Sequence, residues 1–80
     1  MPLKVLSQDW SEYESRKKPQ DAMIFACEES WEVDFLVNTI LKVYPDNTEA
    51  SIRIAIAACC LSMPRPRPRN KLVTCVMSRL

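Results

Sequence analysis

The chain has no glycine and no histidine among its 80 residues. Average usage would give about six glycines, and their absence removes whole classes of function. Phosphate-cradling loops and dinucleotide fingerprints need glycine so that the backbone can approach the phosphates, and tight hairpin turns depend on it too. Without histidine, the usual general base, the usual pH switch and half of most zinc motifs are missing. No apolar run approaches the roughly 18 residues of a membrane-spanning helix. These gaps argue against an enzyme, a nucleotide-binding protein and a membrane protein, and the sequence offers no catalytic residue, cofactor or metal site.

Length sets a further bound. A chain this short makes one domain at most, and its single core gives only marginal stability, so self-association is one remedy. The formal net charge of +1 hides an asymmetry. All ten acidic residues lie between Asp9 and Glu49, while Arg53, Arg65, Arg67, Arg69, Lys71 and Arg79 make the remainder purely basic. Such polarity suits an anionic partner or the acidic surface of a second copy.

Four cysteines are present, Cys27, Cys59, Cys60 and Cys75. The opening MPLKVLSQDW has no apolar core of signal-peptide length, each cysteine falls in an apolar helical pattern, and no CxxC spacing suggests zinc. Buried reduced thiols and a cytoplasmic location are therefore expected.

What the sequence does contain is helical. Ser51 to Met63, SIRIAIAACCLSM, is apolar almost all round with Arg53 its only charge, and such a helix must be enclosed by protein. One stripe is Ile52, Ala55, Ile56, Cys59 and Met63; another is Ile54, Ala57 or Ala58, and Leu61. Its alanines allow neighbouring helices to approach closely. Before it, Tyr44-Pro45-Asp46-Asn47 ends one helix and starts the next, with Asp46 and Glu49 at capping-box spacing and Asn47 or Thr48 as alternative caps.

Upstream, residues 33, 36, 37, 40 and 44 form a buried stripe, with Asp34, Asn38 and Lys42 opposite. Ser30 can cap this helix, and the six apolar residues Ala22 to Cys27 fit a helix or a strand; a helix is preferred because no turn signal follows. Residues 1–18 read as an N-terminal arm in which Ser7 caps a short helix that puts Trp10 and Tyr13 on one face; a frayed arm whose aromatics dock on the body is the plainer reading, and a recognition element the other. Residues 19–80 read as a single helical domain. After the central helix, Pro64-Arg65-Pro66-Arg67-Pro68-Arg69 is extended, and Asn70 caps a last helix with Leu72, Cys75, Val76 and Leu80 on one face. The fold expected is all-α, with three to four short helices: a helical hairpin plus a C-terminal helix, completed as a homodimer.

Three groups of residues are candidates for binding. Ile52, Ile56, Cys59, Val76 and Leu80 are expected to close the core against a second copy. Arg65, Arg67, Arg69 and Lys71 sit on or beside a stiff backbone that suits phosphates or carboxylates, although a rigid spacer is the plainer reading and no aromatic side chain lies among them to stack on bases. Glu28, Glu29, Glu32 and Asp34 form an acidic face in a stretch without basic residues, for which a solvated surface is again the plainer reading. Within it, Trp31 is read as half buried at a helix junction.

The span from about Ser30 to Leu80, with FLVNTILKVYPDNTEASIRIAIAACCLSM at its heart, resembles the small enterobacterial regulators of biofilm development and acid resistance, which include connectors of two-component phosphorelays. It lacks the glycine expected in the first turn and adds the proline-arginine loop. The resemblance implies a non-enzymatic three-helix dimer that binds another regulator, with DNA binding as a further activity. By analogy its dimer surface includes Ile52, Ile56, Cys59 and the last helix. Two readings result: a homodimeric adaptor for an unidentified regulatory or signalling protein, and, as the alternative, a DNA-binding regulator using the four basic residues.

Overall fold

The computed structural model describes residues 2–80, with side chains from Lys4 onward; Met1 and the side chains of Pro2 and Leu3, part of the expected N-terminal arm, lie outside the described residues. Among the described residues five α-helices follow one another: α1 (Pro2–Leu6), α2 (Ser11–Ser15), α3 (Ser30–Val43), α4 (Glu49–Ser62) and α5 (Arg69–Arg79), with a 3-10 turn at Pro19–Asp21 between α2 and α3. The all-α architecture matches the sequence pattern. Helix α4 lies between α3 and α5, and α1 packs on both α3 and α5.

The three long helices follow their apolar stripes. Helix α3 buries Leu36, Val37 and Ile40, and α4 buries Ile52, Ala55, Ile56 and Cys59. Helix α5 contributes Leu72, Val73 and Val76. Pro45 follows the last turn of α3, whose cap Tyr44 donates its N–H to the Ile40 carbonyl at 2.7 Å. Thr48 is the N-cap of α4, its hydroxyl accepting from the Ser51 N–H at 3.1 Å, a contact that stabilises a helix by about 1 kcal/mol. Ser30 and Asn70 lie inside their helices instead of capping them; the caps are Glu29 and Pro68, neither making a side-chain cap bond.

Three residues of the N-terminal segment belong to the same core, the aromatics docking on the body as the plainer reading had them. Val5 and Tyr13 are fully buried and Trp10 nearly so. The Trp10 indole N–H donates to the Val5 carbonyl at 3.2 Å, and its ring lies edge-on to Tyr13 at 5.3 Å and tilted against Phe35 at the same distance. The radius of gyration of 11.5 Å is close to the roughly 12 Å of a compact 80-residue domain.

Residues 22–27 depart from expectation. The helix anticipated over Ala22 to Cys27 is absent; Ile24 instead forms an isolated antiparallel bridge with Pro68. Phe25 N–H donates to the Arg67 carbonyl and Arg69 N–H to the Met23 carbonyl, both at 2.8 Å. The hydrogen bonds come from residues flanking Ile24 and Pro68, so the proline's missing N–H costs nothing there. This pairing seats Phe25 in the core beneath Tyr13.

The cysteines are a second correction. Cys27 is joined to Cys60 and Cys59 to Cys75, with Cα atoms 6.2 and 6.0 Å apart, inside the range disulfides adopt. No free thiol remains. Adjacent residues of α4 are thus tied on one side to the segment before α3 and on the other to α5.

Candidate interaction surfaces

The proline-arginine loop turns two of its three arginines inward. Arg67 donates from Nε to the Met63 carbonyl at 2.8 Å and from Nη2 to the Cys60 carbonyl at 3.0 Å, and pairs with Glu28 at 3.3 Å. It therefore satisfies carbonyls that the end of α4 leaves unbonded, and places a cation at the negative end of the helix dipole. Arg69 lies over the Trp10 ring at 4.5 Å, pairs with Glu14 at 3.1 Å and reaches the Ala22 carbonyl at 3.4 Å. Only its Nε is left without a partner. Of the four basic candidates, Arg65 and Lys71 alone remain exposed.

The acidic cluster is also dispersed. Glu32 is buried, and its Oε1 accepts from the Tyr13 hydroxyl at 2.5 Å, Lys17 Nζ at 2.9 Å and the Ala26 N–H at 3.0 Å. Lys17 also donates to the Ile24 carbonyl. Burial, then the hydrogen bond to Glu32, pushes the Tyr13 phenol well above its ordinary value. Glu28 precedes α3 and so shares no helix face with Glu32. A hydrogen bond from its own backbone, and then one from Arg67, hold its carboxyl below the usual range. Asp34 pairs with Arg53 at 2.7 Å, while Glu49 pairs with the same arginine at 2.8 Å. Those bonds, Asp34 first, push the Arg53 guanidinium up. Glu29 is exposed, and Trp31 is half buried with Arg16 over its ring at 5.3 Å.

Four of the five residues expected at a dimer surface are interior. Ile52 and Cys59 are 0% exposed, Val76 0% and Ile56 2%. Helices α3 and α5 pack on α4, and α1 packs in turn on α3 and α5, so these residues have no surface to give a second copy. Leu80 alone is open.

The free apolar surface lies on the opposite side of α4. Leu61 is 90% and Ile54 71% exposed, with Ala50 and Ala57 exposed and Ala58 half buried between them. Positions 50, 54, 57, 58 and 61 recur at helical spacing and form one stripe. A groove of about 470 Å³ runs along one flank, with Cys27, Val33, Ile56, Cys60 and Leu61 in its lining and Glu28, Arg53 and Arg67 beside them. A smaller one of about 300 Å³ on the other flank is lined by Ile54, Ala58, Arg79 and Leu80 among others. The sequence shows both stripes of α4, and Arg53, midway between them on the helix, does not mark which one faces water.

An open cleft of about 560 Å³ is lined in part by Asp9, Glu12, Asn38 and Lys42. Its carboxylates are engaged: Asp9 accepts from the Ser11 hydroxyl and N–H at 2.6 and 2.9 Å, which holds its carboxyl below the usual range, and Glu12 pairs with Arg16. Among the described residues no helix is long and apolar enough to cross a membrane. No family model, curated protein or solved structure matches the chain.

Proposed function

We propose that the protein is a small non-enzymatic adaptor acting through protein-protein contacts, and that its outer α4 face pairs with a second copy of itself. The observation that carries this reading is the stripe of Ile54, Ala57, Ala58 and Leu61, in which two large apolar side chains are open and alanines between them allow close helix approach. Antiparallel pairing about Ala57 and Ala58 sets Ile54 of one copy against Leu61 of the other. The same arrangement brings Asp46, near the start of α4, towards the exposed Arg65 just beyond the end of its counterpart. A second copy is thus complementary in shape and in charge.

Burying each large side chain contributes about 1.5–3 kcal/mol, against an association cost of about 4–15 kcal/mol. The dimer is accordingly weak, with dissociation in the micromolar range or above. Sedimentation equilibrium tests it. Weight-average mass should rise towards that of a dimer with concentration, and Leu61→Glu should abolish the rise while leaving the melting temperature unchanged. A monomer persisting to about a millimolar, where pairing would be worth less than about 4 kcal/mol, removes the proposal.

The alternative, a DNA-binding regulator, has less support, because Arg67 and Arg69 are spent on internal carbonyls and carboxylates. The two exposed candidates, Arg65 and Lys71, would contribute about −2 to a salt slope. The likeness to biofilm and acid-resistance regulators belongs to the same class of function, and the adaptor reading does not depend on it. For location, two disulfides favour an oxidising compartment over the cytoplasm expected from the sequence.

A further inference from the structure

Met23 is the one described methionine that lies on the surface. It is 51% exposed, whereas Met63 and Met77 are half buried and pack against the hydrophobic core. Its backbone is nevertheless fixed, because the Met23 carbonyl accepts the Arg69 N–H at 2.8 Å. The side chain lies against the same residue, and Arg69 Nη2 donates to Met23 Sδ at 3.6 Å. Only 7% of the Arg69 side chain is exposed. Its Nη1 serves Glu14 and the Ala22 carbonyl, but Nη2 has only the thioether, a weak acceptor, and Nε has no partner.

We propose that Met23 is a site of oxidation by peroxides, and that Arg69 holds the resulting sulfoxide. One lone pair of the sulfur accepts from Arg69, and the other is available to an incoming oxidant. That pair attacks one oxygen of hydrogen peroxide; the S–O bond forms as the O–O bond breaks, and the proton on the transferred oxygen passes to the departing one, which leaves as water. Sulfur loses two electrons and the peroxide gains them, so no other reactant is needed.

A sulfoxide oxygen is a stronger acceptor than a thioether, and the unbranched methionine side chain can turn it towards Nη2 or Nε. Oxidation of Met63 or Met77 would set the same polar group against the core. At Met23 it supplies the acceptor that a buried cation lacks, and so tightens the junction of residues 22–27 with the start of α5. This inference stands apart from self-association, since Met23 lies on the segment paired with residues 67–69 and not on the outer stripe of α4.

Hydrogen peroxide is the probe, and with every cysteine in a disulfide it meets no free thiol. Peptide mapping of the full chain should find the sulfoxide forming at Met23 at least about fivefold faster than at Met63 or Met77. Thermal unfolding of the chain carrying it should show a melting temperature raised by about 2–4 °C. Met23→Leu, treated alike, should show no rise, which excludes oxidation at Met1 as the source. Arg69→Lys, which keeps the charge but loses the forked donor, should retain the preference for Met23 and abolish the rise. Equal oxidation of Met23, Met63 and Met77, an unchanged or lowered melting temperature of the oxidised parent, or the same rise in either variant would overturn the proposal.

Discussion

Lys17 Nζ stands 2.9 Å from Glu32 Oε1, fifteen residues along the chain, with the two side chains only 8% and 3% exposed. Tyr13 completes the group one helical turn before Lys17, its hydroxyl donating to the same carboxylate oxygen. The pair ties the N-terminal helices to α3. A buried ion pair survives desolvation only when its remaining hydrogen bonds are made, and here the Tyr13 hydroxyl, the Ala26 N–H and the Ile24 carbonyl supply them.

Removing one partner leaves the other charge buried and unpaired. Glu32→Ala and Lys17→Ala should each cost about 3–5 kcal/mol, a fall in melting temperature of about 4–8 °C per kcal/mol for a domain of this size. Lys17→Met with Glu32→Leu should recover a large part of that loss, because no lone charge remains. Thermal unfolding followed by circular dichroism measures all three.

The raised phenol of Tyr13 implies a sensitivity to alkali. Its pKa in the folded chain lies above the value of about 10 it has when unfolded, so the stability it contributes is fully present below pH 10 and lost as pH rises beyond it. The unfolded chain loses this proton first, and stability should fall by about 1.4 kcal/mol per pH unit above that point. In a Tyr44→Phe background, tyrosinate absorbance should appear together with unfolding and not before it. An early rise in absorbance on a still-folded chain would contradict the burial of this hydroxyl.

The three loop arginines should separate by substitution. Arg69→Ala removes a cation from over Trp10 and leaves Glu14 and the Ala22 carbonyl short of a donor, a loss of about 2–4 kcal/mol. Arg67→Ala should cost a similar amount through the bare end of α4. Arg65→Ala should lie within about 0.5 kcal/mol of the parent. Urea midpoints at constant slope report the ranking.

The long helices were legible because burial on one side leaves a 3.6-residue period, which Leu36, Val37 and Ile40, then Ile52, Ala55, Ile56 and Cys59, then Leu72 and Val76 follow, while Leu80 is open and Val73 is buried off the expected face. The segment from Ala22 to Cys27 was not. A run of six apolar residues carries no period, and its conformation is decided by Met23 and Phe25 exchanging backbone hydrogen bonds with Arg67 and Arg69, more than forty residues away. The site suffered from the same blindness to distance. Arginines between prolines read as exposed, yet Arg67 is bound by carbonyls of the preceding helix and Arg69 by the N-terminal aromatics. Assigning Ile52 and Ile56 to a dimer surface followed from judging the cover of the neighbouring helices incomplete; α3 and α5 enclose that stripe, and the unpartnered stripe of α4 is the one holding Ile54 and Leu61.

Successive side chains on an α-helix leave its axis about 100° apart, and Cys59 and Cys60 use that divergence to bond in two directions. Two such bonds fix the azimuth of α4 as well as its height, which packing by Ile52 and Ala55 alone would leave open to slippage. The direction in which Leu61 points is therefore set covalently. A single residue inserted between Ile54 and Cys59 would turn Ile54 by about a quarter of a revolution away from Leu61, splitting the stripe while both disulfides still closed.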